Sequence, residues 1–262
     1  MSWQDDSIVV KGKPKWESDP IITAAADAAT ATPGTPLIDI TAGATVPTII
    51  ASSANPYSAG RYPLGRIFTV GDAATFRQSD VLTGVEERTY TRRVTRVDYD
   101  ADRVEYNNGN TISDLMGNLI KTLQAEYDVP VQWTPAEFQI GKKWTAAFHR
   151  SKNDKSSNAY YDMQIVRRET ISVPAGSFDT FRIEGQGWNT TFGNRIEAKL
   201  WLVPGLNFPI KRELVTQNRK GRFRQTERHE LVSLRQQTIE SSCATPTGGV
   251  KASHVIKSNC AA

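Results

Sequence analysis

The chain has 262 residues, of which 39% are hydrophobic and 23% charged, with a formal net charge of +4 and a mean hydropathy of −0.45. No run approaches the ~18 consecutive apolar residues of a helical membrane span. The two cysteines, Cys243 and Cys260, stand in the last twenty positions, and His149, His229 and His254 are far apart in sequence, so no spacing resembles a zinc site and nothing implies a metal or another cofactor.

The start, "MSWQDDSIVVKGK", carries acidic residues early and no long apolar run; it does not read as a signal peptide. The expected compartment is the cytoplasm for a chain that starts here, and the periplasm or cell envelope if an upstream signal precedes it. Residues 20–56 are rich in Ala, Thr, Pro and Ser and nearly free of charge. Thr, Gly and Pro interrupt any helix there. Residues 1–57 therefore read as an extended arm or linker, with strand-like pieces at 37–40 and 46–50.

Composition changes near Tyr57, and residues 58–237 read as a mainly β domain of many short strands bounded by turn residues. "RIFTVGDAATFRQSD" reads as a strand, a Gly-Asp turn and a second strand. Residues 112–123 admit two readings. Ile112, Leu115, Met116, Leu119, Ile120 and Leu123 share a helical face, but Gly117-Asn118 in the middle favours a turn between strands. "KLWLVPGLNFPIKRELVT" places a Pro-Gly turn between strands. "RKGRFRQTERHELVSLRQQ" reads as a long strand whose charge would guard a sheet edge. A tail, 238–262, holds both cysteines. Cys243 and Cys260 are expected to form a disulfide if the protein is exported.

"FTVGDAATF" from Phe68 and "FQIGKKWTAAF" from Phe138 share a Phe-x-(Val/Ile)-Gly-x-x-x-Thr pattern. Two β-meander halves would explain the repeat, and so would chance likeness between β-rich segments.

In "ETISVPAGSFDTFRIEGQGW", Ser177 follows a glycine, which raises the question of a nucleophile turn. That turn needs Gly-x-Ser-x-Gly between a strand and a helix, and a histidine base. Here strand-like sequence follows instead, so the segment reads as a hairpin with its turn at 174–177. Gly176 is expected at positive φ. Pairing Val173 with Phe178 would set Glu169 opposite Arg182 and Arg167 opposite Glu184.

Six stretches, "VGDAATFRQSD", "YNNGNTISDLMGN", "IGKKW", "ETISVPAGSFDTFRIEGQGW", "LWLVPGLNFPIKREL" and "RHELVSLRQ", carry a family resemblance over about two thirds of the chain. The chain resembles a proteobacterial β-rich domain of unknown function that in some proteins follows a caspase-like peptidase domain. It is also similar to the half-barrel envelope domains of the LolA/LolB lipoprotein carriers. The resemblance implies a curved antiparallel sheet or half-barrel in the cell envelope. A caspase-like domain is an implied protein partner, and no catalytic residue is implied. The caspase nucleophile motif is absent from this chain.

Two groups of residues remain as candidate sites. Trp133, Trp144, Trp188 and Trp201 would line a pocket for a lipid or other apolar ligand, or pack the concave side of the sheet. Lys211, Arg212, Arg219, Lys220, Arg222, Arg224 and Arg228, opposed by Glu213 and Glu227, would face an anionic partner, or form a solvated hairpin. Recognition helices and aromatic RNA-binding motifs are lacking, which argues against sequence-specific nucleic-acid binding. Acid pairs such as Glu86-Glu87 and Asp98 with Asp100 read as solvated. The resulting expectation is a non-enzymatic envelope domain that binds an apolar or amphiphilic ligand or scaffolds a partner. A hydrolase with a dispersed active site is the alternative.

Overall fold

A computed structural model describes residues 37–40, 62–153 and 155–237. Among them are fifteen strands and no helix. The first eight are β1 (Leu37–Ile40), β2 (Tyr62–Pro63), β3 (Ala73–Asp80), β4 (Glu86–Asp98), β5 (Arg103–Tyr106), β6 (Thr111–Ser113), β7 (Leu119–Thr122) and β8 (Ala125–Val131). The others are β9 (Glu137–Phe138), β10 (Lys143–Lys152), β11 (Lys155–Val173), β12 (Gly176–Asn189), β13 (Asn194–Leu202), β14 (Lys211–Gln217) and β15 (Phe223–Gln237).

Strands β3 to β8 and β10 to β15 pair antiparallel in one continuous meander, and β15 then pairs back onto β3. Leaving aside β1, β2 and β9, twelve strands close into a barrel. The closing register runs from Glu227 opposite Asp80 to Arg235 opposite Ala73. The expected curved antiparallel sheet is present, and it curves far enough to meet itself. β15 is consequently no edge, contrary to the reading of its charge. It has β14 on one side and β3 on the other, and beyond the end of β14 it takes up β1, with Leu37 opposite Gln237. Closure removes the edge that the charges were expected to guard.

Because the strands are antiparallel neighbours, successive connections fall at alternate ends. Among the described residues one end carries only tight turns, at 81–85, 107–110, 123–124, 153, 190–193 and 218–222. At the other end lie the long segments 64–72, 132–142 and 203–210, with β2 paired to β9. These segments send aromatic residues inward. Phe68 meets Tyr106 and Phe208 edge-on at centroid distances of 6.2 and 6.4 Å, and Phe138 stacks on Phe181 at 5.1 Å. Residues 66–69, expected as part of a strand, are irregular because they form this filling.

One buried carboxylate ties the filled end together. Asp72 accepts hydrogen bonds from the Thr69 and Gln237 backbone N–H groups, both at 2.9 Å, and from Asn207 Nδ2 at 2.8 Å. Gln236 accepts from the Asn207 N–H at 2.7 Å and donates to the Gly205 carbonyl at 2.7 Å. The lead-in to β3, the end of β15 and the 203–210 connection are thereby fixed to one another.

The sequence repeat has a structural counterpart. After Phe68, Gly71 turns the chain at φ 98° and donates to the Val94 carbonyl at 2.9 Å. Following Phe138, Gly141 does the same at φ 89°, donating to Ile165 at 2.8 Å. Val94 and Ile165 donate back to the carbonyls of Asp72 and Lys142. Each lock opens a run of six strands. The 112–123 segment is two strands, β6 and β7, with Gly117 at φ 84° between them.

The hairpin of β11 and β12 forms with a two-residue loop, Pro174-Ala175, and Gly176 lies at φ 134°. Its register differs from the expected one. Val173 pairs with Gly176 and Ile171 with Phe178, and the two-residue loop thereby sets Arg167 opposite Arg182 and Glu169 opposite Thr180; a bulge between Ile165 and Arg167 then shifts the pairs further from the turn, so that Glu184 faces Gln164. The tighter loop sinks Ala175 and Phe178, and the Ala175 N–H donates to Leu231 of β15 at 3.0 Å. Glu169 still reaches Arg182, diagonally, at 3.6 Å, and Arg168 pairs with Asp179. Ser177, expected in the turn, is instead the second residue of β12, opposite Ser172, with which it shares a hydrogen bond of 2.9 Å.

Two substitutions test these assignments. Asp72→Ala leaves two backbone donors and one amide donor without their acceptor, and should cost roughly 3 kcal/mol of stability in chemical denaturation. Gly176→Val forces a β-branched residue to positive φ, and should cost about 1 kcal/mol or more, read as a lowered melting temperature.

Candidate functional site

The inward positions of the barrel change character along its axis. Near the long connections they are apolar: Ile165, Ile183, Leu202, Leu206 and Phe181 are almost fully buried. Towards the tight turns they become polar, because residues paired across the ladder share a face. Ala74, Phe76 and Gln78 of β3 point in, so their β4 partners Arg92, Tyr90 and Arg88 point in as well. His229 of β15 faces Gln78, and Arg212 of β14 lies opposite both His229 and Leu200.

A cavity occupies the boundary between the two regions. It holds about 570 Å³ of space, part of it open to solvent. Leu119, Val131, Leu200, Leu202 and Phe208 supply apolar wall; Arg66, Arg92, Arg212, Trp133 and Asn207 supply polar groups. Two of these present buried atoms without a hydrogen-bond partner, Trp133 Nε1 and Asn207 Oδ1.

The three arginines are held differently. Arg66 donates from Nε to the Leu206 carbonyl at 2.8 Å and from Nη1 to the Met116 carbonyl, with Asp114 as a nearby counter-charge. Burial lowers its guanidinium to about 10, still charged at neutral pH. Arg92 and Arg212 make no hydrogen bond or ion pair among the described residues. Burial pushes the Arg212 guanidinium below its ordinary value, the neighbouring Arg92 pushes the same way, and Tyr90 and Glu227 oppose. Arg212 lies 5.7 Å from the Trp133 ring centroid, and Arg92 lies 5.9 Å from that of Tyr90.

Glu227, whose charge acts on Arg212, is hydrogen-bonded elsewhere. Burial alone would raise its carboxyl, but hydrogen bonds from His229 and Gln225 and the charge of Arg212 outweigh burial and hold it at about 2. His229 is driven down to about 4 by burial and by Arg212 and Arg92, against the pull of Glu227. A neutral imidazole has one N–H. An ionised carboxylate only accepts, so Nε2 donates to Glu227 at 3.2 Å and Nδ1 accepts from the Tyr90 hydroxyl at 2.9 Å. This Tyr90–His229–Glu227 chain is acid–base machinery in form, but its hydroxyl is a phenol and no serine, threonine or cysteine joins it. Among the described residues no group of three or more His, Cys, Asp or Glu could hold a metal ion.

The candidate residues separate once the faces are known. Of the tryptophans, only Trp133 lines the cavity. Trp144 shares the inward face of Met163 and donates to the Gln132 carbonyl at 2.7 Å. Trp201 lies on the outer face beneath Arg182 and Lys211, donating to Glu169 at 2.8 Å, and Trp188 is exposed. The basic group divides too. Arg212 is inside the barrel. Lys211 and Arg228 are paired with Glu213 at 3.1 and 2.9 Å. Arg219, Lys220, Arg222 and Arg224 are exposed at the tight-turn end. Residues 41–61, including the strand-like piece at 46–50, and the tail with Cys243 and Cys260 lie outside the described residues. Sequence reasoning missed Arg66, Arg92 and Asn207. Alternation in "RTYTRRV" could have coupled Tyr90 and Arg92, but not told inside from outside.

No family model matches the chain, and no curated protein matches it. Two solved structures have a similar outline. One is a protein from Bacteroides fragilis described as exported and named for its YmcC-like fold. It is 12% identical, with 67% of this chain and 99% of that chain covered and a TM-score of 0.41. The other is the hypothetical lipoprotein YmcC from Escherichia coli, 11% identical, with 62% and 83% covered and a TM-score of 0.40. Both likenesses are too distant to carry an inference about this chain.

The buried histidine makes stability pH-dependent. Above pH 6.5 it is neutral in both states. As pH falls from about 6.5 to about 4 the unfolded chain takes up a proton that the folded barrel refuses, so stability is lost across that window. The loss is on the order of 3 kcal/mol. His229→Gln keeps a donor for Glu227 and should flatten the slope of stability against pH between 6.5 and 4, measured by denaturation at a series of pH values.

Proposed function

We propose that the barrel is a non-enzymatic binding domain whose interior takes a small amphiphilic anion, a carboxylate or phosphate carried on an apolar group. One observation carries the reading: Arg92 and Arg212 face the same cavity, close enough to repel, with no carboxylate bonded to either. Two cations on a partly buried wall without bonded partners cost stability. An arrangement that costs stability and is offset by a ligand is characteristic of binding sites. Arginine suits the role, since its planar fork matches a carboxylate or phosphate. Trp133 Nε1 adds a third donor. The surrounding Leu119, Val131, Leu200 and Phe208 provide a wall for the apolar part. The filled end limits the space to a head group and a short apolar segment. An envelope setting and a companion protein of the caspase-like kind belong to this reading through the sequence resemblance.

Titration of the full chain with octanoate, octyl phosphate, octanol and octylamine, followed by tryptophan fluorescence, tests it. One or both anions should bind, and octanol and octylamine at least tenfold more weakly. Arg212→Met and Arg92→Met should each weaken anion binding roughly tenfold or more, about one charge-assisted hydrogen bond. Neither should lower the melting temperature of the free protein: each removes a charge with no bonded partner among the described residues, and for Arg212 burial outweighs the attraction of Glu227. Equal binding of octanol, or a lowered melting temperature with unchanged binding, would refute the site.

A further inference from the structure

The tight-turn end of the barrel combines exposed apolar tips with unpaired basic residues, and both belong to neighbouring turns. Phe192 is 53% exposed in the β12–β13 turn, and Phe223 is 49% exposed where the β14–β15 turn enters β15. Leu82, Val85 and Leu123 are exposed in other turns at the same end. Trp188 is exposed on the outer wall, just behind Phe192 along β12.

The two phenylalanine turns form one surface. A Cβ on Gly193 would fall 2.0 Å from Arg219 Nε, so the Arg219 side chain lies across the adjacent turn and holds the two side by side. The Thr190 N–H donates to the Asn158 carbonyl at 2.9 Å, and the Asn158 N–H donates to Thr191 at 3.0 Å, which joins the β12–β13 turn to the start of β11.

Among the described residues, the charges at the tips of these turns are all basic. Arg219, Lys220, Arg222 and Arg224 are exposed around Phe223 without an ion pair among the described residues. On the adjoining hairpin Lys152 and Lys155 stand directly opposite each other, both exposed. Like charges across a ladder are unfavourable without an anion to face. Asp154, the acid in this stretch of sequence, lies outside the described residues. By contrast, Glu86 and Glu87 follow the Leu82–Val85 turn, so the basic sector is the side of Phe192 and Phe223.

We infer that this sector docks on an anionic lipid bilayer, with Phe192 and Phe223 inserted at the head-group level and the surrounding Arg and Lys on lipid phosphates. Single aromatic side chains on turn tips, flanked by basic residues and backed by an interfacial tryptophan, fit a lipid boundary. A protein interface is depleted of charged residues at its core, whereas here exposed Arg222 and Arg224 directly flank Phe223. The inference goes beyond the ligand reading and does not depend on it.

Flotation of the full chain with phosphatidylcholine vesicles, with and without 30 mol % phosphatidylglycerol, tests it, alongside single-stranded DNA as a second polyanion. Binding is expected only with the anionic vesicles and should fall at least tenfold in 0.5 M salt. The pair Phe192→Ser with Phe223→Ser, and separately Arg222→Glu with Arg224→Glu, should each weaken it tenfold or more, at unchanged melting temperature, since all four side chains are exposed. Arg212→Met should leave vesicle binding unchanged, which separates this surface from the cavity. No recovery with anionic vesicles, equal recovery of the phenylalanine variant, or DNA binding as tight as vesicle binding would overturn the proposal.

Discussion

A closed ring of twelve strands has an interior too wide to be filled from its walls alone. Eight strands can be filled by their own inward side chains, and sixteen or more leave a channel. Here the difference is made up at one end, where three long connections bring Phe68, Phe138 and Phe208 inside. Among the described residues the tight-turn end has no such filling, and its interior is lined by Gln78, Arg88, Tyr90, Arg92, Arg212 and His229. The cavity lies where the filling stops. Its position thus follows from an asymmetry of loop length rather than from any special pocket-forming element.

The polar interior is balanced unevenly. Arg66 has two carbonyls and the charge of Asp114. Glu227 and His229 satisfy one another, with Tyr90 completing the chain. These groups are fixed before any ligand arrives, and they orient the wall on which Arg92 and Arg212 stand. What is left over is positive charge and two unpartnered atoms, one donor and one acceptor. A core evolved for stability alone would fill such positions with apolar side chains.

Local features were legible in the sequence wherever a short-range rule set them. Gly176 and Gly117 mark turns that only glycine adopts easily, and Leu37–Ile40 stands out as a strand within a Thr- and Pro-rich arm. The repeat was visible because both halves need Phe and Gly at the same offsets. Features set by distant partners were hidden. The charge on β15 looked like edge protection because nothing local says that residue 80 will meet residue 227. The two-residue loop at Pro174-Ala175 moved the expected charge pairs, because a turn two residues tighter shifts every partner along the hairpin. Arg212 sat in a run of basic residues that reads as surface, and alternation along β14 assigns it a face without saying which face is inside. A barrel with a polar interior blurs the cue that hydrophobic patterning normally supplies.

The strands that close the ring are also nearly its first and its last. Ala73 and Arg235 are 162 residues apart in sequence, and Asp80 and Glu227 are 147 apart. At ribosomal rates of about 5–20 residues per second, roughly 10–30 s separate the emergence of β3 from that of its partner. Through that interval the growing sheet has a bare edge on β3, and the polar interior is open to water from the side. A nascent chain of this topology keeps that edge exposed to other chains until its final strand is made.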